Sequence, residues 1–121
     1  PTSLTDAYAM IKMLKLNHGV EHFKVVVNMA PNRDTAKDIF SRLYDACDQF
    51  LSGVSLDLIG YVPHDRLIRK AVINQVPFCH MLQEKPVTKA VQQITNRITT
   101  WKPAANMDGN IKFFWKKLLF Q

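Results

Sequence analysis

Cysteine is scarce in this 121-residue chain: Cys47 and Cys79 are the only two, too far apart for a CxxC pair. Two such residues cannot build a disulfide framework, so a reducing compartment is the simplest setting. Glycine is scarce too, with four residues, and no G-x-x-x-x-G-K-[ST] occurs anywhere. A loop that cradles phosphates is therefore not encoded here. No apolar run is long enough to span a bilayer, and no stretch has the make-up of a signal peptide. His18 and His22 share i,i+4 spacing, but Gly19 between them opposes one continuous helix, so no metal site is expected. Cys79-His80 follows Pro77 with no carboxylate beside it, which leaves a Cys/His nucleophile without its third member. No catalytic residue is assigned.

What is present is ordinary in bulk and uneven in charge. Apolar residues make up 47% and charged residues 21%, as in globular chains generally. The length suits one domain, or part of one, with a core of its own. The net charge is +6. From Arg97 onward, Arg97, Lys102, Lys112, Lys116 and Lys117 face Asp108 alone. Such a tail suits an anionic partner, membrane lipid or nucleic acid; the plainer alternative is solubility. Because it begins at Pro1 rather than Met, the chain is expected to be a piece of a longer one.

Two apolar runs stop abruptly at polar residues: FKVVVNMA at 23–30 and LIGYVPHD at 58–65. A continuous Val/Ile/Leu run is how a strand buried on both faces reads. Ligands of open α/β sheets bind just past the carboxyl ends of such strands. Asn28 and the turn of Pro63, His64 and Asp65 are therefore the first candidate site. A free amide offers a donor and an acceptor, which suits a nucleobase edge. The alternative is structural: Asn28 caps a turn, and Asp65 caps the helix that follows it.

The remaining segments alternate with these strands. A helix capped by Thr2, Ser3 or Thr5 runs to about residue 16, with Ala7, Met10, Ile11 and Leu14 at helical spacing. Gly19 stops it. The first strand covers 23–29. Asp34 or Thr35 is expected to cap a second helix, whose buried stripe is Ala36, Ile39, Phe40, Leu43, Cys47, Phe50 and Leu51. The second strand covers 56–62. A short helix over 65–74 is expected to bury Leu67, Ile68, Ala71 and Val72, and a loop then leads to Pro86. A last helix starts there, with Val87, Ala90, Val91, Ile94, Ile98 and Trp101 inward. Residues 103–110 form a linker and 111–121 a further helix. This is the order of parallel α/β units. Two strands make a poor sheet alone, so residues 1–102 are expected to be the C-terminal portion of a larger parallel-sheet domain.

The opening PTSLTDAY, the VVVNM strand, Phe50-Leu51 and LDLIGYVPHD together resemble the C-terminal half of the MinD/ParA-type P-loop ATPases. The run RKAVINQVP at 69–77 and the closing NIKFFW at 110–115 resemble, within that family, the flagellar number and placement regulators (the FlhG/FleN type). The resemblance covers nearly the whole chain. It implies that adenine lies between Asn28 and the Pro63–Asp65 turn, with Asn28 on the base edge, Pro63 on its face, and Asp65 or backbone near His64 completing the pocket. It also implies ATP and Mg²⁺ in the full-length protein, and a homodimer formed around ATP. The phosphate loop and the acidic residue for Mg²⁺ belong to the family's N-terminal half, so this chain alone is expected to be inactive. The absence of CxxC argues against the iron–sulfur carriers of the superfamily.

The tail is the second candidate site. Ile111, Phe114, Trp115, Leu118 and Leu119 fall on one helical face, with Lys112, Lys116 and Lys117 around the other. About eleven residues, at about 1.5 Å each, are far too short to span a bilayer. Such a helix can lie in the interface with its lysines among anionic headgroups, and the family's C-terminal membrane-targeting helix implies the same role. Phe113 and Phe120 sit near the lysine face, which keeps open the alternative of a tail docked on its own domain. The expected whole is a cytoplasmic ATPase, peripheral on the inner face of the cell membrane, that switches flagellar number or placement. Its partners would be flagellar assembly or transcription-regulatory proteins. The alternatives are a DNA-binding partition ATPase and a non-enzymatic interaction module.

Overall fold

The computed structural model describes residues 2–81, 83 and 85–102; the expected linker and tail helix lie outside them. Seven elements follow in order: α1 (Thr2–His18), β1 (His22–Ala30), α2 (Arg33–Phe50), β2 (Ser55–Pro63), α3 (Arg66–Ile73), α4 (Phe78–Met81) and α5 (Pro86–Thr99). β1 and β2 pair in parallel. The α/β class is as the sequence implied.

Local chemistry explains most boundaries. α1 ends where Gly19 adopts φ +65°, a left-handed turn open to glycine without strain. The cap of α2 is Asn32, not Asp34 or Thr35: its Oδ1 accepts the Thr35 N–H at 2.8 Å. Asp34 then occupies the first turn, where its charge meets the positive end of the helix dipole. Pro86 opens α5 as expected. α3 closes with Val76 N–H on the Ala71 carbonyl and Gln75 N–H on that of Val72, a Schellman pattern with Gln75 at φ +54°.

The core lies between the sheet and the first two helices. Ile11, Leu43, Cys47, Leu51 and Leu56 form one buried cluster, with Phe23 and Val25 against it. Val27, Ala30 and Ala36 form another. On α1 the inward stripe is Leu4, Ala7, Tyr8 and Ile11; Met10, expected inside, is 55% exposed. On α2, Phe50 falls outside the stripe and is exposed.

One irregularity decides which residues meet α5. Val25 pairs with Leu58, but Val26 pairs with Gly60, so Ile59 is an extra residue in β2. Phe23, Val25, Leu56 and Leu58 face α1 and α2. Beyond the bulge, Gly60 turns to the opposite face, where a Cβ would stand 2.6 Å from Ile94 Cγ1 of α5. Paired Lys24 and Asp57 form an ion pair on that same face, and Lys24 Nζ lies 5.8 Å from the Trp101 ring centre. β2 is thus sandwiched between α2 and α5. On that face of β1, Val26 is 39% exposed. Trp101, expected on α5, lies past its end, because Thr100 already caps the helix.

α3 departs most from expectation. Only Ala71 is buried, while Leu67, Val72 and Ile73 are exposed. The helix packs on α4, a single turn that the sequence read as loop, and makes no comparable contact with the sheet among the described residues. Among the described residues its exposed apolar side chains are left without a surface that would bury them.

Candidate functional site

Both strand ends arrive at one edge of the sheet. Ala30 pairs with Pro63, and the His64 N–H reaches the Ala30 carbonyl at 3.1 Å. The two candidate segments are therefore neighbours, tied by backbone rather than by chance proximity.

β1 carries its own irregularity here. From Val27–Tyr61 to Ala30–Pro63, β1 advances three residues and β2 two. The surplus sits at Asn28–Met29, and Met29 adopts φ +54°. A side chain in that region costs on the order of 1–2 kcal/mol. The Met29 N–H is held by Asn28 Oδ1 at 2.9 Å. Asn28 is exposed, so its amide stands at the surface of the sheet's carboxyl edge. The strained residue had no signal in the sequence, since methionine does not favour a left-handed backbone.

Asp65 is a helix cap. Its Oδ1 accepts the Leu67 N–H at 2.8 Å, and its backbone is extended. Pro63 and Asp65 are half-buried and His64 is exposed. The edge thus offers an amide, a flat proline face, and the start of a helix, a set that fits a heterocyclic base. It does not fit phosphates or Mg²⁺: the phosphate loop is absent from the sequence, and no cluster of metal-ligating side chains occurs among the described residues. No described helix is long and apolar enough to cross a membrane. Ile111, Lys112, Phe114, Trp115, Lys116, Lys117, Leu118 and Leu119 lie outside the described residues.

A second feature escaped the sequence reading. A cleft of about 800 Å³ runs along β2 between α2 and α5. Arg33 and Lys37 line it from α2, Lys89 and Arg97 from α5, and no carboxylate lines it among the described residues. The spacing of these cations within each helix, i,i+4 for Arg33 and Lys37 and i,i+8 for Lys89 and Arg97, was legible; that the two helices flank one strand was not.

The cysteines have no part in either place. Burial pushes the Cys47 thiol up from its ordinary pKa, and Cys47 packs in the core.

No protein-family model matches the chain. The chain is 34% identical over 119 residues to a protein named Antiactivator FleN from Pseudomonas aeruginosa. That match takes in 98% of this chain and 42% of the relative, so the chain spans less than half the relative's length. Motif order and this match over nearly every residue agree: the chain is similar to FleN, consistent with the C-terminal part of a MinD/ParA-type protein.

Proposed function

We propose that this chain forms the base-binding part of an ATPase that acts as a membrane-associated switch on flagellar number or placement. The observation that carries the reading is the joined carboxyl edge. Asn28 and the Pro63–Asp65 turn both belong to the strand ends at that edge, in a chain related to an antiactivator. Asn28 reads the base edge through its amide, Pro63 packs on the base, and Asp65 holds the turn by capping α3. Bound ATP with Mg²⁺ supplies the hydrolysable phosphate bond, and the phosphate-binding groups come from outside this chain. In the whole protein, nucleotide favours a homodimer. Two tails, each carrying Phe114 and Trp115 with Lys112, Lys116 and Lys117, then act together on an anionic membrane. Flagellar assembly or transcription-regulatory proteins read the switch.

The test is nucleotide binding to the full-length protein. Asn28→Ala and Asn28→Asp are compared with wild type for ATP and GTP. Asn28→Asp keeps an acceptor for the Met29 N–H and removes the amide donor. Loss of one hydrogen bond, about 0.5–1.5 kcal/mol, predicts ATP binding two- to tenfold weaker in both variants and a smaller ATP-over-GTP preference. Unchanged affinity and preference in both would remove Asn28 from the base site. Sedimentation with anionic vesicles, with and without residues 108–121, tests the tail separately. ATP-dependent vesicle binding that survives truncation would refute the tail as anchor.

A further inference from the structure

We propose that Met29 is a positioning residue for the base site: the left-handed turn that it supplies to β1 ties the Asn28 amide oxygen to the backbone and leaves the amide N–H donors for the base. The inference rests on the base-binding reading above.

β1 has to bury two residues that a regular strand would separate. Val27 and Ala30 are both buried, in one cluster with Ala36 of α2. They are three residues apart, and in a regular strand such residues face opposite ways. One surplus residue returns Ala30 to the side of Val27. Asn28 and Met29 are then both exposed between them. The packing of Val27 and Ala30 on α2 lies within the described chain. This register therefore does not depend on what the rest of a longer protein adds to the sheet.

The surplus residue sets the amide. The extra residue of a bulge falls outside the ladder. At Met29 the N–H is taken up instead by Asn28 Oδ1, at 2.9 Å. That bond fixes which way the amide is turned, because only its oxygen can accept an N–H. The two hydrogens of Asn28 Nδ2 have no partner among the described residues. Asn28 therefore meets a base as a donor, on an acceptor atom of the ring edge. Asparagine tolerates a left-handed backbone better than methionine, yet Met29 is the residue that adopts it, at φ +54°. Such a conformation persists only where its surroundings over-determine it. Here buried Ala30, the His64 N–H on the Ala30 carbonyl, and Asn28 Oδ1 on the Met29 N–H do so. An amide held ready before the ligand arrives binds more tightly than one ordered on binding.

The test is calorimetric titration of the full-length protein with ATP and with inorganic tripolyphosphate, which has no base. Met29→Val keeps the N–H but opposes the left-handed backbone. Met29→Gly keeps the N–H and adopts that backbone freely, so it is the conservative variant. Asn28→Ala reports on the base reading itself. The expected result is ATP binding weakened at least about fivefold in Met29→Val and retained in Met29→Gly, with tripolyphosphate binding the same throughout. An equal loss of ATP binding in Met29→Val and Met29→Gly would overturn the inference by assigning the effect to the methionine side chain. Equal loss of tripolyphosphate binding in Met29→Val would overturn it as a general structural effect. Unchanged ATP binding in Asn28→Ala would overturn the base reading and this inference with it. Unchanged binding in Met29→Val beside a loss in Asn28→Ala would overturn this inference alone. If Met29→Val fails to fold, deletion of Met29 decides. The deletion lets Val27–Tyr61 and Ala30–Pro63 pair without a bulge, so the protein should fold and still lose ATP binding at least about fivefold. A deletion that unfolds the protein, or that binds ATP like wild type, would overturn the inference.

Discussion

Gly60→Ala tests whether the bulge at Ile59 really aims β2 at α5. The new Cβ would stand 2.6 Å from Ile94 Cγ1 and 3.2 Å from Cδ1. Ile94 is 8% exposed, and a β-branched side chain has little rotamer freedom in a helix. α5 must therefore lift from the strand, at an overpacking cost of about 1–3 kcal/mol. The lift also strains the Arg97 bond to Ile59, a contact of the charge-assisted kind. At roughly 3–5 °C per kcal/mol for a domain of this size, melting should fall by roughly 3–15 °C. Ile94→Ala alone should cost about 2–5 kcal/mol by leaving a cavity. The two changes relieve each other, so the double variant should be at least about 1 kcal/mol more stable than the sum predicts. Urea titration of the four proteins closes the cycle. Strict additivity would mean that Gly60 and Ile94 do not meet, and the assignment of α5 to that face would fail.

Three further outcomes follow from local features. Asn32→Ala should destabilise by about 1 kcal/mol through loss of the α2 cap, while Asp34→Asn, which only softens the dipole interaction, should cost less; the reverse order in denaturant titration would restore Asp34 as the cap. Thr88 is buried, and its hydroxyl has no partner among the described residues, so Thr88→Val should hold or raise stability by up to about 1–2 kcal/mol; a loss would reveal a bond that the hydroxyl makes. With its pKa raised by burial, Cys47 has less thiolate than an exposed thiol at any given pH, so iodoacetamide at pH 8 should label half-buried Cys79 well before Cys47, with Cys47 following only on unfolding. Equal rates read by mass spectrometry would contradict that burial.

Much of the local structure was legible before any coordinates. The two Val/Leu/Ile runs became the two strands, Gly19 and Pro86 marked a helix end and a helix start, and Asp65 was readable as a cap. These features depend on a few neighbouring residues and their backbone preferences. The family was legible for another reason: the order and spacing of several short motifs is rarer than any one of them.

The site and the packing needed the third dimension. Leu67 and Val72 match a buried stripe in sequence, yet both are exposed and α3 packs chiefly on α4 among the described residues, because burial belongs to the neighbour as much as to the helix. The four cations beside β2 lie on two helices with 35 residues between them, and only the sandwich brings them to one edge. The extra residue at Ile59 matters most. Side chains alternate with period two along a strand, so one inserted residue sends everything beyond it to the other face. It turns Gly60 to α5 and Tyr61 back to α2, and nothing in the run of apolar letters distinguishes that register from the unbroken one.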